Sequence, residues 1–312
     1  MRIVTGGAGF IGSRLAMRLN ELGQKVVVID NFDSTLYRRQ IKIYRAKILE
    51  QQGISVLEGD DLRILKKIES VETVFNLGAT AGLSPSWRET NTYFQNNVLR
   101  LASSLSRITS HNPNIKLIQA STSSVYGQIV TPQSISSELN PVSPYGVSKL
   151  AAEKLIQAHA SELGLRFNIL RLFSVYGPGQ RPDQFFSIVL DRVLRGETIP
   201  VFGDGSNSRT NLYVDDAVQA FISADRNFRE SQTYDISGNE KITVMQVIER
   251  LSSLLNRRTT IAFKERRLGD QLSTAGELTR TEEFLDWKPK TSFREGTERL
   301  AADFMSDPEL YR

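Results

Sequence analysis

A chain of 312 residues with 40% hydrophobic and 24% charged side chains has the make-up of a globular protein, long enough for one large domain or two coupled ones. Without cysteine there are no disulfides, thiolate zinc sites or cysteine nucleophile, and the two histidines, His111 and His159, are too few for a histidine-rich metal centre, so no metal is expected. The net charge of +4 is spread through mixed clusters such as Glu249 to Arg258, with no single basic face, so no nucleic-acid partner is expected. No run of about 18 apolar residues and no charged-then-apolar leader is seen, so no membrane partner or secretion is expected and a cytoplasmic home is the default.

Arg2 to Thr5 reads as a short strand, followed by Gly6-Gly7-Ala8-Gly9-Phe10-Ile11-Gly12. A helical pattern then runs from Ile11 to Leu22 with Gly23 as its C-cap. A second strand, Lys25 to Ile29, ends at Asp30 and Asn31. Strand, glycine turn, helix, strand and acidic residue is the context of a dinucleotide-binding fingerprint. The glycines let backbone approach a pyrophosphate at the helix N-terminus. The expected cofactor contacts here are Gly6, Gly9, Phe10, Ile11, Gly12, Asp30 and Asn31. A carboxylate at Asp30 accepts hydrogen bonds from a ribose and repels a 2′-phosphate, which favours NAD over NADP.

The alternation continues. Strands are expected at Ile54 to Leu57, Thr73 to Leu77, Lys116 to Ala120 and Arg166 to Leu170. Helices are expected after Gly59-Asp60-Asp61 through Ile68, from Trp87 to Ile108, and from Pro144 to Leu163 with Gly164 as cap. This βαβ repetition gives an α/β fold with a doubly wound parallel sheet, whose ligands sit beyond the carboxyl ends of the strands. After Phe173 the composition shifts to a turn-rich linker, Tyr176 to Pro182, then a helix to Gly196 and a strand from Thr198 to Phe202. Leu212 to Ala224 and Gln232 to Ile236 read as another helix and strand of the first domain. Val244 to Leu255, Thr259 to Phe263 and Arg280 to Leu285 read as a smaller α/β domain. The expected division is 1–173 plus 210–237 for the cofactor and 174–209 plus 238–312 for a substrate.

Tyr145 and Lys149 are four residues apart at the start of the Pro144 to Leu163 helix, one turn apart on one face. A phenol loses its proton near pH ~10, and bringing that to neutrality takes about 3 units, or roughly 4 kcal/mol. An adjacent ammonium acts in that direction. The pair is a candidate proton-transfer device.

The glycine turn, the serine-rich strand end before Val125-Tyr126-Gly127 and the Tyr145-x-x-x-Lys149 pair together closely resemble the extended short-chain dehydrogenase/reductase family. Gly203-Asp204-Gly205 with Arg209, Tyr213-Val214-Asp215-Asp216 and Arg267-Leu268-Gly269-Asp270 extend the likeness over nearly the whole chain. The resemblance implies a Rossmann domain with a smaller C-terminal substrate domain, NAD bound and used twice, and a nucleotide sugar as substrate. It implies Tyr145 as base, Lys149 lowering the tyrosine's pKa and holding the nicotinamide ribose, and Thr122 sharing the sugar hydroxyl. Ser123 and Ser124 stand where the family's 4,6-dehydratases carry an Asp and a Glu, and its decarboxylases a Glu at the second position. The lyase chemistries therefore lose their acid, and 4-epimerisation remains.

Thr122, Ser123, Ser124 and Ser174 ring the expected sugar site, and hydroxyl donors suit a carboxylate. Gly177-Pro178-Gly179-Gln180-Arg181-Pro182-Asp183 is similar to the pattern in UDP-glucuronic acid 4-epimerases, although Ser84 stands where those often carry arginine. UDP-glucuronate is favoured, with UDP-glucose or UDP-N-acetylglucosamine as the alternative and a catalytically silent NAD-binding regulator as a further one. The resemblance also assigns Asp60 or Asp61 to the adenine, and Leu77, Ala79 and Asn97 to the cofactor. It assigns Phe202, Arg209, Arg267 and Asp270 to the nucleotide end of the substrate, and it implies a homodimer.

Overall fold

A computed structural model describes residues 1–59, 70–112, 114–128 and 132–311. The expected helix after Gly59, with Asp60 and Asp61, lies outside them. Six strands, β1 (Arg2–Thr5), β2 (Val26–Asp30), β3 (Ser55–Glu58), β4 (Thr73–Asn76), β5 (Lys116–Thr122) and β6 (Arg166–Leu172), join Gln232–Ile236 in one seven-stranded sheet. Its order is β3-β2-β1-β4-β5-β6 and then Gln232–Ile236, with every pair parallel. Apart from the exposed edge strand β3, the strands are largely buried on both faces and read as near-continuous apolar runs.

Helices cover each face. Leu15, Ala16 and Leu19 of Phe10–Glu21 pack with Ala217, Val218 and Phe221 of Val214–Arg226 in one core cluster. Leu101, Leu105 and Ile108 of Arg100–His111 meet Ala152 and Ile156 of Pro144–Leu163 in another. The order of strands reverses between β1 and β4, which opens a crevice at their carboxyl ends.

A second group of elements follows the sheet. Ile199–Phe202 pairs in parallel with Ile261–Lys264, and Ser208–Thr210 lies between Lys241–Thr243 and Ser273–Thr274. Phe186, Val189, Val247, Leu251, Leu300 and Phe304 form its core, with the Tyr176 and Phe186 rings stacked at 4.7 Å. That core also takes in Phe10, Tyr213 and Val214. Thr279–Leu285 is a helix, and its Leu285, with Trp287, packs into the sheet's core rather than into the smaller one.

Three elements differ from expectation. In place of the single helix from Trp87 to Ile108, a short helix Leu83–Ser86 is followed by Thr90–Phe94, a π-helical turn Gln95–Leu99 and Arg100–His111. The wider turn brings Asn96 and Asn97 both inside, at 9% and 3% exposure. Arg39–Gln51 is a helix that buries only Ile41, Ala46 and Leu49, too thin a stripe to stand out among its charges. Phe293–Ser306 forms a further helix, capped by the Ser292 hydroxyl accepting from the Glu295 N–H.

Among the described residues no helix is long and apolar enough to cross a membrane, and no group of three or more His, Asp or Glu could hold a metal.

Candidate active site

A cleft of about 420 Å³ runs over the carboxyl ends of β1, β2, β4, β5 and β6. Its floor is the glycine turn. Gly6 has φ 64° and lies against the loop after β4, where a Cβ would come 2.7 Å from the Gly78 nitrogen. A Cβ on Gly12 would lie 2.3 Å from the Gly6 carbonyl oxygen. Thr5 hydrogen-bonds Asn76, and the Gly78 N–H donates to the Thr5 hydroxyl at 3.3 Å. The first turn of Phe10–Glu21 carries no acidic residue. Its free N–H groups and dipole are therefore open to an anion, and the cradle fits a pyrophosphate.

Next to it, Asp30 is 2% exposed. Its carboxylate accepts the Ala8 N–H at 3.0 Å and the Phe32 N–H at 2.8 Å, with Lys42 Nζ 3.3 Å away. Asn31, Asp33, Tyr37 and Lys42 also line this end. Leu77 and Ala79 line the cleft as expected. Asn97 does not. Its amide instead receives the Thr80 N–H at 2.8 Å and donates to the Thr80 carbonyl and the Ser148 hydroxyl, both at 3.0 Å. Asn96 is the neighbour that faces the cleft, donating to the Thr80 hydroxyl at 2.7 Å and to Asp33 at 3.0 Å. Both asparagines lie in the π turn, whose wider register departs from the α-helical period.

At the reactive end the helix Pro144–Leu163 starts with Pro144 at its first turn and the Ser143 hydroxyl accepting the Gly146 N–H, and ends on Gly164 at φ 70°. Such a cap contributes ~1 kcal/mol and fixes where the first turn begins. That turn is pressed onto the Ser123-Ser124 turn: a Cβ on Gly146 would lie 2.6 Å from the Ser124 carbonyl oxygen. Tyr145, Lys149, Thr122, Ser123, Ser124 and Ser174 all line the cleft. The Thr122 hydroxyl acts on the Tyr145 phenol, lowering it, and accepts the Ser124 N–H at 3.1 Å. The Tyr145 ring meets Tyr93 edge-on, with centroids 6.0 Å apart.

The electrostatics differ from the expected lowering of Tyr145 by Lys149. Burial pushes the Tyr145 phenol up, and Thr122 and then Arg181 act the other way. Burial is also the main influence on Lys149, bringing it down to about 8 against the pull of Glu153. Its Nζ donates to the Ala120 carbonyl at 2.7 Å.

Arg181 and Arg209 line the cleft, with Gln184, Gln271 and Thr274 beside them. Arg181 makes a two-pronged pair with Asp183, both bonds 2.9 Å. Phe202, Arg267 and Asp270 lie outside the cleft lining. There the Arg267 guanidinium stacks 3.6 Å above the Phe202 ring, and Asp270 faces Arg209, Arg267 and Arg266. Ser84 is also outside it, although Leu83 is within.

Residues 2–237 match the model of the NAD dependent epimerase/dehydratase family. The chain belongs to this family. A Bacillus subtilis relative named as an uncharacterized UDP-glucose epimerase is 32% identical over 94% of this chain and 94% of its own length. The UDP-glucuronate 4-epimerase of Thermodesulfobacterium geofontis is 28% identical over 95% of this chain and 94% of its own. Among solved structures, the UDP-glucuronic acid 4-epimerase of Bacillus cereus, in complex with UDP-glucuronic acid and NAD, superposes with a TM-score of 0.93 at 28% identity, covering 98% and 99% of the two chains. The UDP-glucose 4-epimerase of Thermotoga maritima, with UDP-glucose, gives 0.89 at 31% identity over 99% and 100%.

Lys42, Tyr37, Asn96, Gln184 and Gln271 line the cleft without having been expected there. Only Asn96 left a trace in the sequence, as the neighbour of an asparagine that was singled out.

Proposed function

We propose that the protein is an NAD-dependent nucleotide-sugar 4-epimerase, with UDP-glucuronate and UDP-galacturonate as its favoured pair. One observation carries the reading of the reaction. Among the described residues lining the cleft the only carboxylates are Asp30 and Asp33, both at the end away from Tyr145. Among the described residues no acid lines the cleft beside Thr122 to expel water, so the Tyr145–Lys149 pair is left to move one proton.

NAD+ held on the glycine cradle supplies an acceptor, and later a donor, of hydride. Tyr145 takes the proton of the sugar's 4-hydroxyl, with Thr122 hydrogen-bonding the same oxygen. Lys149 holds the nicotinamide ribose and balances charge on the phenolate. Once the 4-keto sugar has turned over, Tyr145 returns the proton to its oxygen. The base, the hydroxyl partner and the cofactor cradle must converge because proton and hydride leave one C–O–H unit together.

The sugar preference is supported by the hydroxyls of Thr122, Ser123, Ser124 and Ser174 and by the Arg181 cation, all of which line the cleft. Arg209, Arg267, Asp270 and Phe202 are assigned to the UDP end, since a guanidinium fork matches phosphate oxygens. A second reading, UDP-glucose or UDP-N-acetylglucosamine, is favoured by the pairing of Arg181 with Asp183, which occupies the cation an acidic sugar needs. The chain division proposed is 1–173 plus 210–237 for NAD and the remainder for the nucleotide sugar. A homodimer is also proposed, supported by Leu99, Val147 and Leu163, which are 55%, 41% and 54% exposed on the helices flanking this face.

Incubating the purified protein with UDP-glucuronate and separating the products chromatographically tests the reading. UDP-galacturonate is expected. If UDP-glucose or UDP-N-acetylglucosamine alone gives a C4 epimer, the sugar assignment is wrong. If none of the three is epimerised, the reaction is.

A further inference from the structure

Beneath the proton-transfer pair lies a buried polar chain that the reaction as described does not use. Glu153 is two turns beyond Tyr145 and one beyond Lys149, on the same helical face. It is 1% exposed. Its Oε1 accepts the Ser121 hydroxyl at 2.5 Å and the Arg171 Nε at 3.1 Å, and its Oε2 accepts Arg171 Nη2 at 2.7 Å. Ser121 precedes Thr122 on β5 and follows Ala120, whose carbonyl holds Lys149. Arg171 lies on β6 and also donates to the Tyr126 hydroxyl at 2.8 Å, which in turn donates to Asp235 at 2.8 Å.

We propose that Glu153 is a positioning residue for the Tyr145–Lys149 pair: it clamps the helix face carrying both onto β5 and β6, and its charge keeps Lys149 an ammonium. This rests on the roles of Tyr145 and Lys149 given above. Adhesion alone does not call for a carboxylate here, because Ala152 and Ile156 already bury the same helix against the sheet. A buried ion pair is also no better a fastener than well-packed apolar side chains. What an apolar residue could not do is set the charge around Lys149.

Arg171 approaches Glu153 from β6, Asp235 faces Tyr126 from the neighbouring strand, Glu277 acts on Asp235 from the loop beyond, and Arg181 acts on Tyr145 from the linker. Among these, Glu153 is the group that opposes the effect of burial on Lys149. Removing its charge takes from Arg171 the carboxylate it pairs with and pushes Lys149 toward the neutral amine.

The test compares wild type, Glu153→Gln and Glu153→Asp, each as the NAD-loaded protein. kcat/KM is followed against pH with whichever UDP-sugar the wild type epimerises, and NAD affinity is followed against pH in parallel. In Glu153→Gln the alkaline limb of both profiles is expected to move down by about one pH unit. Glu153→Asp keeps the charge but shortens the clamp, so its limb stays in place while kcat drops several-fold. A Glu153→Gln profile that is merely scaled down, with its limb unmoved, overturns the proposal. Should Glu153→Gln fail to fold, Glu153→Asp decides alone, and a moved limb or an unchanged kcat there overturns it. The NAD-affinity arm needs no sugar, so a wild type inactive on every UDP-sugar tested counts against the proposed reaction, while an unmoved NAD limb counts against Glu153.

Discussion

The Lys149 ammonium nitrogen lies 2.7 Å from the carbonyl oxygen of Ala120, and burial has brought it down to about 8 while pushing Tyr145 up. Of the two groups, the lysine is the one whose charge changes near working pH. kcat/KM is therefore expected to fall on the alkaline side with an apparent pKa near 8. The stability contribution has the opposite slope. The folded lysine binds its proton less tightly than the unfolded one, so between about 8 and 10.5 the folded state gains stability as pH rises. Replacing Lys149 by Met should remove the alkaline limb and lower turnover by about 100-fold, as measured by initial rates across pH.

Gly12→Ala tests the cradle. Its Cβ would meet the Gly6 carbonyl oxygen at 2.3 Å, and neither backbone can yield without opening the turn. NAD affinity should drop by about 100-fold or more, roughly 2.7 kcal/mol, by equilibrium dialysis. Retained affinity would show that the anion site lies elsewhere.

Asp235 offers a stability test remote from the cleft. Burial raises its carboxyl to about 7 from the ordinary 3.8, against the Tyr126 hydrogen bond and the Arg171 charge. The folded state thus holds this proton more tightly than the unfolded state. The resulting stabilisation is complete below pH 3.8 and is lost as pH rises through about 7. Asp235→Asn does not titrate. Its melting temperature should climb relative to wild type between about pH 4 and 7 and run parallel above that window. A constant offset across the window contradicts the raised pKa.

Asn96 and Asn97 should separate cleanly. Asn97 has three buried hydrogen bonds to Thr80 and Ser148, and Asn97→Ala should cost about 2–3 kcal/mol of stability in denaturant melts. Asn96 faces the cleft and ties Thr80 to Asp33. Asn96→Ala should weaken NAD binding by about tenfold, or 1.4 kcal/mol, with a smaller loss of stability. Reversed effects would restore Asn97 as the cofactor-side residue.

The parts of this protein that were legible in its sequence are those where one local rule decides. A glycine turn between two apolar strands has few alternatives, and it located Gly6, Gly12 and Asp30 in the cleft. Pro144 and Gly164 bounded the helix that carries Tyr145 and Lys149 to the residue. Where two rules compete, the reading slipped. The π turn at Gln95–Leu99 is an insertion in a periodic pattern and shifts which asparagine faces in. The direction in which Tyr145 is shifted depends on burial, which no spacing reveals and which raises the phenol against Thr122 and Arg181. The stacking of Arg267 on Phe202 joins residues 65 positions apart, a tertiary contact that no local rule reveals.

The most direct test of the account uses a UDP-sugar substrate carrying deuterium at C4. Oxidation and re-reduction within one closed site return the same hydrogen to the same carbon, so the epimer should keep its deuterium with no exchange into water. An epimer that has lost the label to solvent would mean that C4 is inverted by another route, and the roles given to Tyr145, Lys149 and the glycine cradle would fail with it.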